Sequence, residues 1–241
     1  MRAKRTSLLL VQVTRDHTKR ASQPALTNPF FPRAGFSLWL VPPAASPARA
    51  ALSTLIAESL PAQFPTEQPP PPRFVPHVTL TSDVQLESFS TPSADEEQQK
   101  RDARAWLDAL TALPAGRDVR VRFEALDVGE KFVQKLTLRV SNEGGLRELA
   151  RLSRLHGVEG GANADSVDAW LEGAYRPHCS LVYGNMPISD QKKAELQSIV
   201  EQAGVSVTGS GELGGWEGGL VWLVPTFKKI PEWEPWVERT L

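Results

Sequence analysis

Cysteine is nearly absent. Cys179 is the one thiol in 241 residues, so neither an intrachain disulfide framework nor a cysteine-rich zinc site can form. Neither sign of charge is in excess: 27 Lys and Arg against 28 Asp and Glu leave a net charge of −1. That balance argues against holding long nucleic acid or an acidic membrane through bulk charge. No apolar run approaches the roughly 18 residues of a membrane-spanning helix. Walker, G-x-S-x-G and H-E-x-x-H patterns are missing, which removes the commonest nucleotide-triphosphate, serine-hydrolase and zinc-protease readings. Histidine is scarce as well, with four in the chain.

Residues 1–34 carry seven Lys and Arg against a single acid, Asp16. Their composition predicts a disordered basic extension, and an Arg-rich, acid-poor transit segment fits the same pattern. Leu8 to Val11 begins like a signal peptide, but Gln12 cuts the apolar stretch. The regular pattern starts at Gly35, and residues 35–241 are expected to form one bilobal domain.

Strands are expected over Phe36–Val41, His77–Thr81, Val119–Val128, Pro177–Tyr183 and Leu220–Val224, with one more in the Trp-rich tail. A phase shift at Leu126 predicts a bulge, and Gly129-Glu130 predicts a turn into a strand over Lys131–Val140. On that strand Phe132, Leu136, Leu138 and Val140 would share a face, with Gln134 intruding. Helices are expected after Ser46-Pro47, over 103–113 and 145–156, and from Ser189 to Gly204. Leu196, Ile199, Val200 and Ala203 would face inward on the last. Residues 83–95 and the stretch from Gly157 to Pro177 read as loops. The mixture predicts an α+β fold of two antiparallel sheets facing a central cleft, with helices outside.

Two of the four histidines occupy matching contexts, one in each half of the chain: Pro76-His77-Val78-Thr79-Leu80 and Pro177-His178-Cys179-Ser180-Leu181. On a strand, His77 and Thr79 point to one face while Val78 and Leu80 point to the core. His178 and Ser180 repeat the arrangement. A single strand histidine is usually a hydrogen-bonded structural residue, but two copies, each with a hydroxyl two positions on, suit one cleft with two walls. In-line hydrolysis of a phosphodiester needs a base on one side of phosphorus and an acid on the other, and histidine serves both roles near neutrality. The hydroxyls of Thr79 and Ser180 would donate to the non-bridging oxygens. No metal or other cofactor is called for. His17 and His156 read as incidental.

HVTL and HCSL resemble the His-x-Thr/Ser-x signature of the two-histidine phosphoesterase superfamily, and within it the cyclic phosphodiesterases of fungi and plants. Residues 36–43, Leu181 to Gly184 and Lys131-Phe132 extend the likeness to about residue 225. The resemblance implies the bilobal fold and His77 and His178 as catalytic pair. It also implies a small cyclic nucleotide or ADP-ribose 1″,2″-cyclic phosphate as substrate. It further implies a place in clearing tRNA-splicing by-products, in a Golgi-associated or cytoplasmic setting. A monomer without long nucleic acid is expected, and an RNA-end phosphodiesterase or a non-catalytic nucleotide binder are the rival readings.

Secondary candidates are Tyr183, Gln134 and Trp222. Strict alternation from His178 puts Tyr183 on the core face, so only a bulge would aim it at the cleft. Gln134 could hydrogen-bond phosphate or base, and Trp222 could stack on a base. Lys131 and Lys135 could raise the local positive potential. Gly209-Ser210-Gly211-Glu212-Leu213-Gly214 matches G-x-G-x-x-G, but more glycines and a strand follow it where a dinucleotide site needs a helix, so it reads as a connector.

Overall fold

A computed structural model describes residues 35–241. The expected amino-terminal extension lies outside the described residues.

Eight strands form one antiparallel sheet in the order β6-β3-β4-β5-β2-β1-β7-β8. They are β1 (Phe36–Val41), β2 (Val78–Val84), β3 (Arg120–Val128), β4 (Leu136–Val140), β5 (His178–Val182), β6 (Gly215–Glu217), β7 (Leu220–Val224) and β8 (Val237–Thr240). Two sheets were expected, and one is found. The halves β6-β3-β4-β5 and β2-β1-β7-β8 are joined where β2 pairs with β5 through Val78 and Cys179. The two histidine motifs therefore lie side by side at the seam of a single sheet, not on facing walls.

Five helices accompany the sheet among the described residues: α1 (Pro47–Thr54), α2 (Glu96–Ala109), α3 (Gly144–Gly157), α4 (Ala164–Gly173) and α5 (Asp190–Gln202). Each buries a stripe at helical spacing: Ala48 and Leu52 on α1, Ala103 and Leu107 on α2, Leu146, Leu149 and Ala150 on α3, Val167 and Leu171 on α4, Leu196 and Val200 on α5. These join Leu38, Leu40, Val78, Leu80, Leu136, Leu138, Cys179 and Leu181 of the sheet in the main core. A smaller cluster of Trp39, Val41, Tyr183, Trp222, Val224 and Trp233 forms apart from it.

Most elements fall where the pattern placed them, and the departures have local causes. Helix α2 starts at Glu96, earlier than the apolar stripe suggested, because the Asp95 carboxylate accepts the Gln98 amide at 2.8 Å and caps it. It ends at Ala109, before Pro114. Residues 83–95 are not all loop, since β2 runs to Val84 and a 3-10 turn covers Leu86–Ser88. Helix α4 occupies part of the expected loop. It is short, it follows Gly160-Gly161, and Asn163 caps it by accepting the Ser166 amide at 3.3 Å. Of the four inward residues assigned to α5, Ile199 is half-buried and Ala203 is exposed. Ser189 does cap this helix, accepting the Lys192 amide at 3.2 Å.

The hairpin differs most. Residues 131–135 are not strand: a 3-10 turn covers Phe132–Gln134, and the Gly129 amide donates to the Lys135 carbonyl at 3.2 Å. Phe132 thus leaves the shared face of Leu136, Leu138 and Val140. The expected bulge in β3 is present, one step earlier, between Phe123 and Ala125. The glycine-rich stretch 209–214 leads into β6. There a Cβ on Gly215 would sit 1.8 Å from the Val121 carbonyl oxygen, so glycine permits the close approach of β3.

Candidate active site

Val78 and Cys179 face each other across the β2–β5 seam, and both are wholly buried in the helix-covered core. Carrying that antiparallel register one residue either way sets His77 beside Ser180 and Thr79 beside His178 on the opposite face. Each imidazole thereby neighbours the hydroxyl of the other motif. One cavity is lined by His77, Thr79, His178, Ser180, Gln134 and Tyr183, together with Ser37, Trp39, Val133 and Trp233.

The two imidazoles are held alike. Nδ1 of His77 lies 2.7 Å from the Val75 carbonyl oxygen, and Nδ1 of His178 lies 2.8 Å from that of Arg176. A carbonyl can only accept, so each Nδ1 carries the proton and donates. Each Nε2 is left with a lone pair. His77 is 5% exposed and stacks on Trp39, with ring centroids 3.6 Å apart and planes 9° from parallel. Burial lowers its pKa to about 4, with a smaller lowering from His178 opposed by the Val75 bond. Burial lowers His178 as well, and the nearby Lys131 ammonium adds to that. Both shifts favour the neutral ring in the ligand-free protein.

The hydroxyls are not equivalent. Ser180 is buried, and its Oγ–H donates to the Val133 carbonyl at 2.9 Å. Thr79 is half-buried, and its hydroxyl makes no hydrogen bond among the described residues. Tyr183 reaches the cavity because β5 bulges: Leu136 pairs with Val182 while Thr137 pairs with Ser180, so one residue is skipped. Leu181 and Val182 then both join the main core, and Tyr183 turns to the other side, stacking on Phe74 at 3.8 Å. Its hydroxyl, buried beside Ser180, is pushed above the ordinary tyrosine range by desolvation.

Trp222 is not brought to the cavity. It pairs across from Trp39 on β7, one strand further out, with the Arg49 guanidinium 5.7 Å from its ring. Lys135 is buried and donates Nζ–H to the Gly129 carbonyl at 3.0 Å, so it closes the hairpin turn and is not a free charge at the site. Cys179 sits behind the seam, its thiol pushed up to about 12 chiefly by burial, too high for a nucleophile. Trp39, Phe74 and Trp233 were not singled out in the sequence. Alternation from Leu38 and Leu40 puts Trp39 on the histidine face, which is the signal that could have found it.

A family model described as cyclic phosphodiesterase-like protein matches residues 34–241. A 2′,3′-cyclic-nucleotide 3′-phosphodiesterase of Neurospora crassa is 36% identical over 221 residues, covering 86% of this chain and 99% of that protein. Its counterpart in Phaeosphaeria nodorum is 37% identical over 208 residues, with the same coverage. That of Saccharomyces cerevisiae is 28% identical over 183 residues, covering 69% of this chain and 72% of its own.

Proposed function

Because the chain belongs to the cyclic phosphodiesterase-like protein family, we propose that it hydrolyses nucleoside 2′,3′-cyclic phosphates to nucleoside 2′-phosphates. His77 and His178 serve as the acid–base pair. The observation that carries this reading is the paired tethering of Nδ1 to a backbone carbonyl, which leaves two Nε2 atoms at one cavity.

In the reaction, water attacks phosphorus in line with the 3′-oxygen. One neutral imidazole takes the proton of water through Nε2, and the other, as imidazolium, protonates the departing 3′-oxygen. The P–O bond to water forms as the bond to the 3′-oxygen breaks. The pair needs one proton in total, supplied as the anionic substrate raises the affinity of both rings for protons. Thr79 donates to a non-bridging oxygen directly. Ser180 does so after its hydroxyl turns from the Val133 carbonyl, and Tyr183 beside it completes that donor group. Gln134 contributes a neutral amide at the rim, and no metal takes part.

ADP-ribose 1″,2″-cyclic phosphate carries the same five-membered phosphate ring on neighbouring ribose oxygens, so the same groups would open it to ADP-ribose 1″-phosphate. Action on that substrate would place the enzyme in clearing by-products of tRNA splicing. Purified protein should be incubated with both classes of cyclic phosphate and with an RNA bearing a cyclic end, and the product isomers separated. Nucleoside 2′-phosphate is expected. Turnover of the RNA end alone would move the reading to RNA processing, and saturable binding without product would make the protein a nucleotide-binding module.

A further inference from the structure

The cavity has a second end that the reaction does not use. Beyond Thr79 along β2 it is lined by Ser82 and Asp83, with Gly35 and Ser37 of the β1 segment and Thr226 after β7. Four residue steps of strand lead from Thr79 to Asp83, about 13 Å of extended chain, a span on the scale of one nucleotide. The Asp83 carboxylate has no hydrogen bond or ion pair among the described residues. A lone carboxylate in a cavity that takes an anion is unfavourable for the phosphate and calls for a ligand group that donates protons.

The neighbouring hydroxyls point the same way. Thr226 Oγ1–H donates to the Gly35 carbonyl at 2.9 Å. The Ser37–Thr226 contact at 3.0 Å must therefore be donated by Ser37. Both hydroxyl protons are spent within the protein, and what remains for a ligand is lone pairs. Gly35 lets the start of β1 approach this part of β2 closely: a Cβ there would lie 3.1 Å from the Val84 carbonyl oxygen and 3.5 Å from Asp83 Cα. The backbone of Asp83 is held at φ 65° where the β1–β2 register shifts, a left-handed conformation tolerated by Asp and Asn.

We infer that this end is a nucleobase subsite selective for guanine, with Asp83 accepting its N1–H and N2–H together and Ser37 offering a further acceptor. Guanine alone among the four bases presents two adjacent donors on its pairing edge. Uracil would bring carbonyl oxygens against the carboxylate, while adenine and cytosine would bring a ring nitrogen lone pair. The inference rests on the cyclic phosphodiesterase reading, which places the phosphate at the histidine end.

The test compares kcat/KM for the four nucleoside 2′,3′-cyclic phosphates in the unaltered protein and in Asp83→Asn, which keeps the left-handed backbone accessible. Guanosine is expected to exceed uridine by at least about tenfold, the usual worth of a bidentate base contact. In Asp83→Asn that ratio should collapse toward one. Calorimetry with guanosine 2′-phosphate and uridine 2′-phosphate reads the same discrimination without turnover. Hydrolysis of all four nucleotides without a guanosine preference would overturn the subsite and leave the proposed reaction standing. Selective binding of the guanosine product with no hydrolysis would do the reverse. An Asp83→Asn variant weakened equally on all four would also overturn the subsite.

Discussion

His77 lies flat against Trp39, ring on ring at 3.6 Å, and Trp39 pairs with Thr79 across the β1–β2 ladder. The indole thus fixes the plane of one imidazole and backs the strand that carries its hydroxyl. Replacing Trp39 with Ala should cost about 3–5 kcal/mol of stability, as for a large buried aromatic. Trp39→Phe retains a flat ring and should keep most of the stability. If the ring positions His77, kcat falls by about tenfold or more in the Ala variant with KM little changed, and Phe restores much of it. Thermal melts and steady-state kinetics on both variants check this.

The buried His77 also makes the fold sensitive to acid. Its folded pKa, about 4, lies below the ordinary 6.5. Between those values the unfolded chain binds a proton that the folded one refuses, so stability is full above about pH 6.5 and is lost as pH falls toward 4. The contribution amounts to about 3 kcal/mol. Urea midpoints measured across that range should fall with pH, and His77→Gln should flatten the slope. An equal slope in the variant would assign the acid sensitivity to other groups.

Thr79 and Ser180 should separate when each is replaced by Ala. The Thr79 hydroxyl has no hydrogen-bond partner among the described residues, so its loss should leave stability nearly unchanged and lower kcat by about 100-fold. The Ser180 hydroxyl holds the Val133 carbonyl. Its loss should lower kcat and also cost about 1–2 kcal/mol, since a partner is left unsatisfied. Denaturation curves and kcat values for the two variants decide the matter.

Both histidines are depressed by burial, so the pair holds its single working proton under more acidic conditions than free imidazoles would. The kcat/KM profile of the free enzyme should be bell-shaped with its maximum below pH 6.5. The profile should persist in excess chelator. An optimum well above neutrality, or loss of activity on chelation, would contradict the acid–base assignment.

Strands β1, β2, β3, β5 and β7, the capping of α5, the bulge in β3 and the faces of both histidine motifs were legible because each rests on local periodicity or a cap, whereas β6 lay hidden in a glycine-rich stretch read as connector and β4 is shorter than its apolar pattern suggested. Sheet number was not, because the β2–β5 seam rests on Val78 and Cys179, residues far apart in sequence whose pairing no local pattern encodes. Tyr183 was misplaced because the skipped residue that turns it appears only in the pairing of β4 with β5. Gln134 reached the cavity through a 3-10 turn hidden behind an apparent strand, and Trp222 missed it by one strand. The aromatic backing of His77 depends on three segments meeting, which a linear reading does not convey.

The most direct measurement is product formation from a nucleoside 2′,3′-cyclic phosphate by the unaltered protein, His77→Ala and His178→Ala, with folding checked by circular dichroism. Nucleoside 2′-phosphate from the unaltered protein, and a loss of about 100- to 10,000-fold in each folded variant, is the predicted result. Near-normal turnover in either folded variant, or release of the 3′-phosphate isomer, would contradict it.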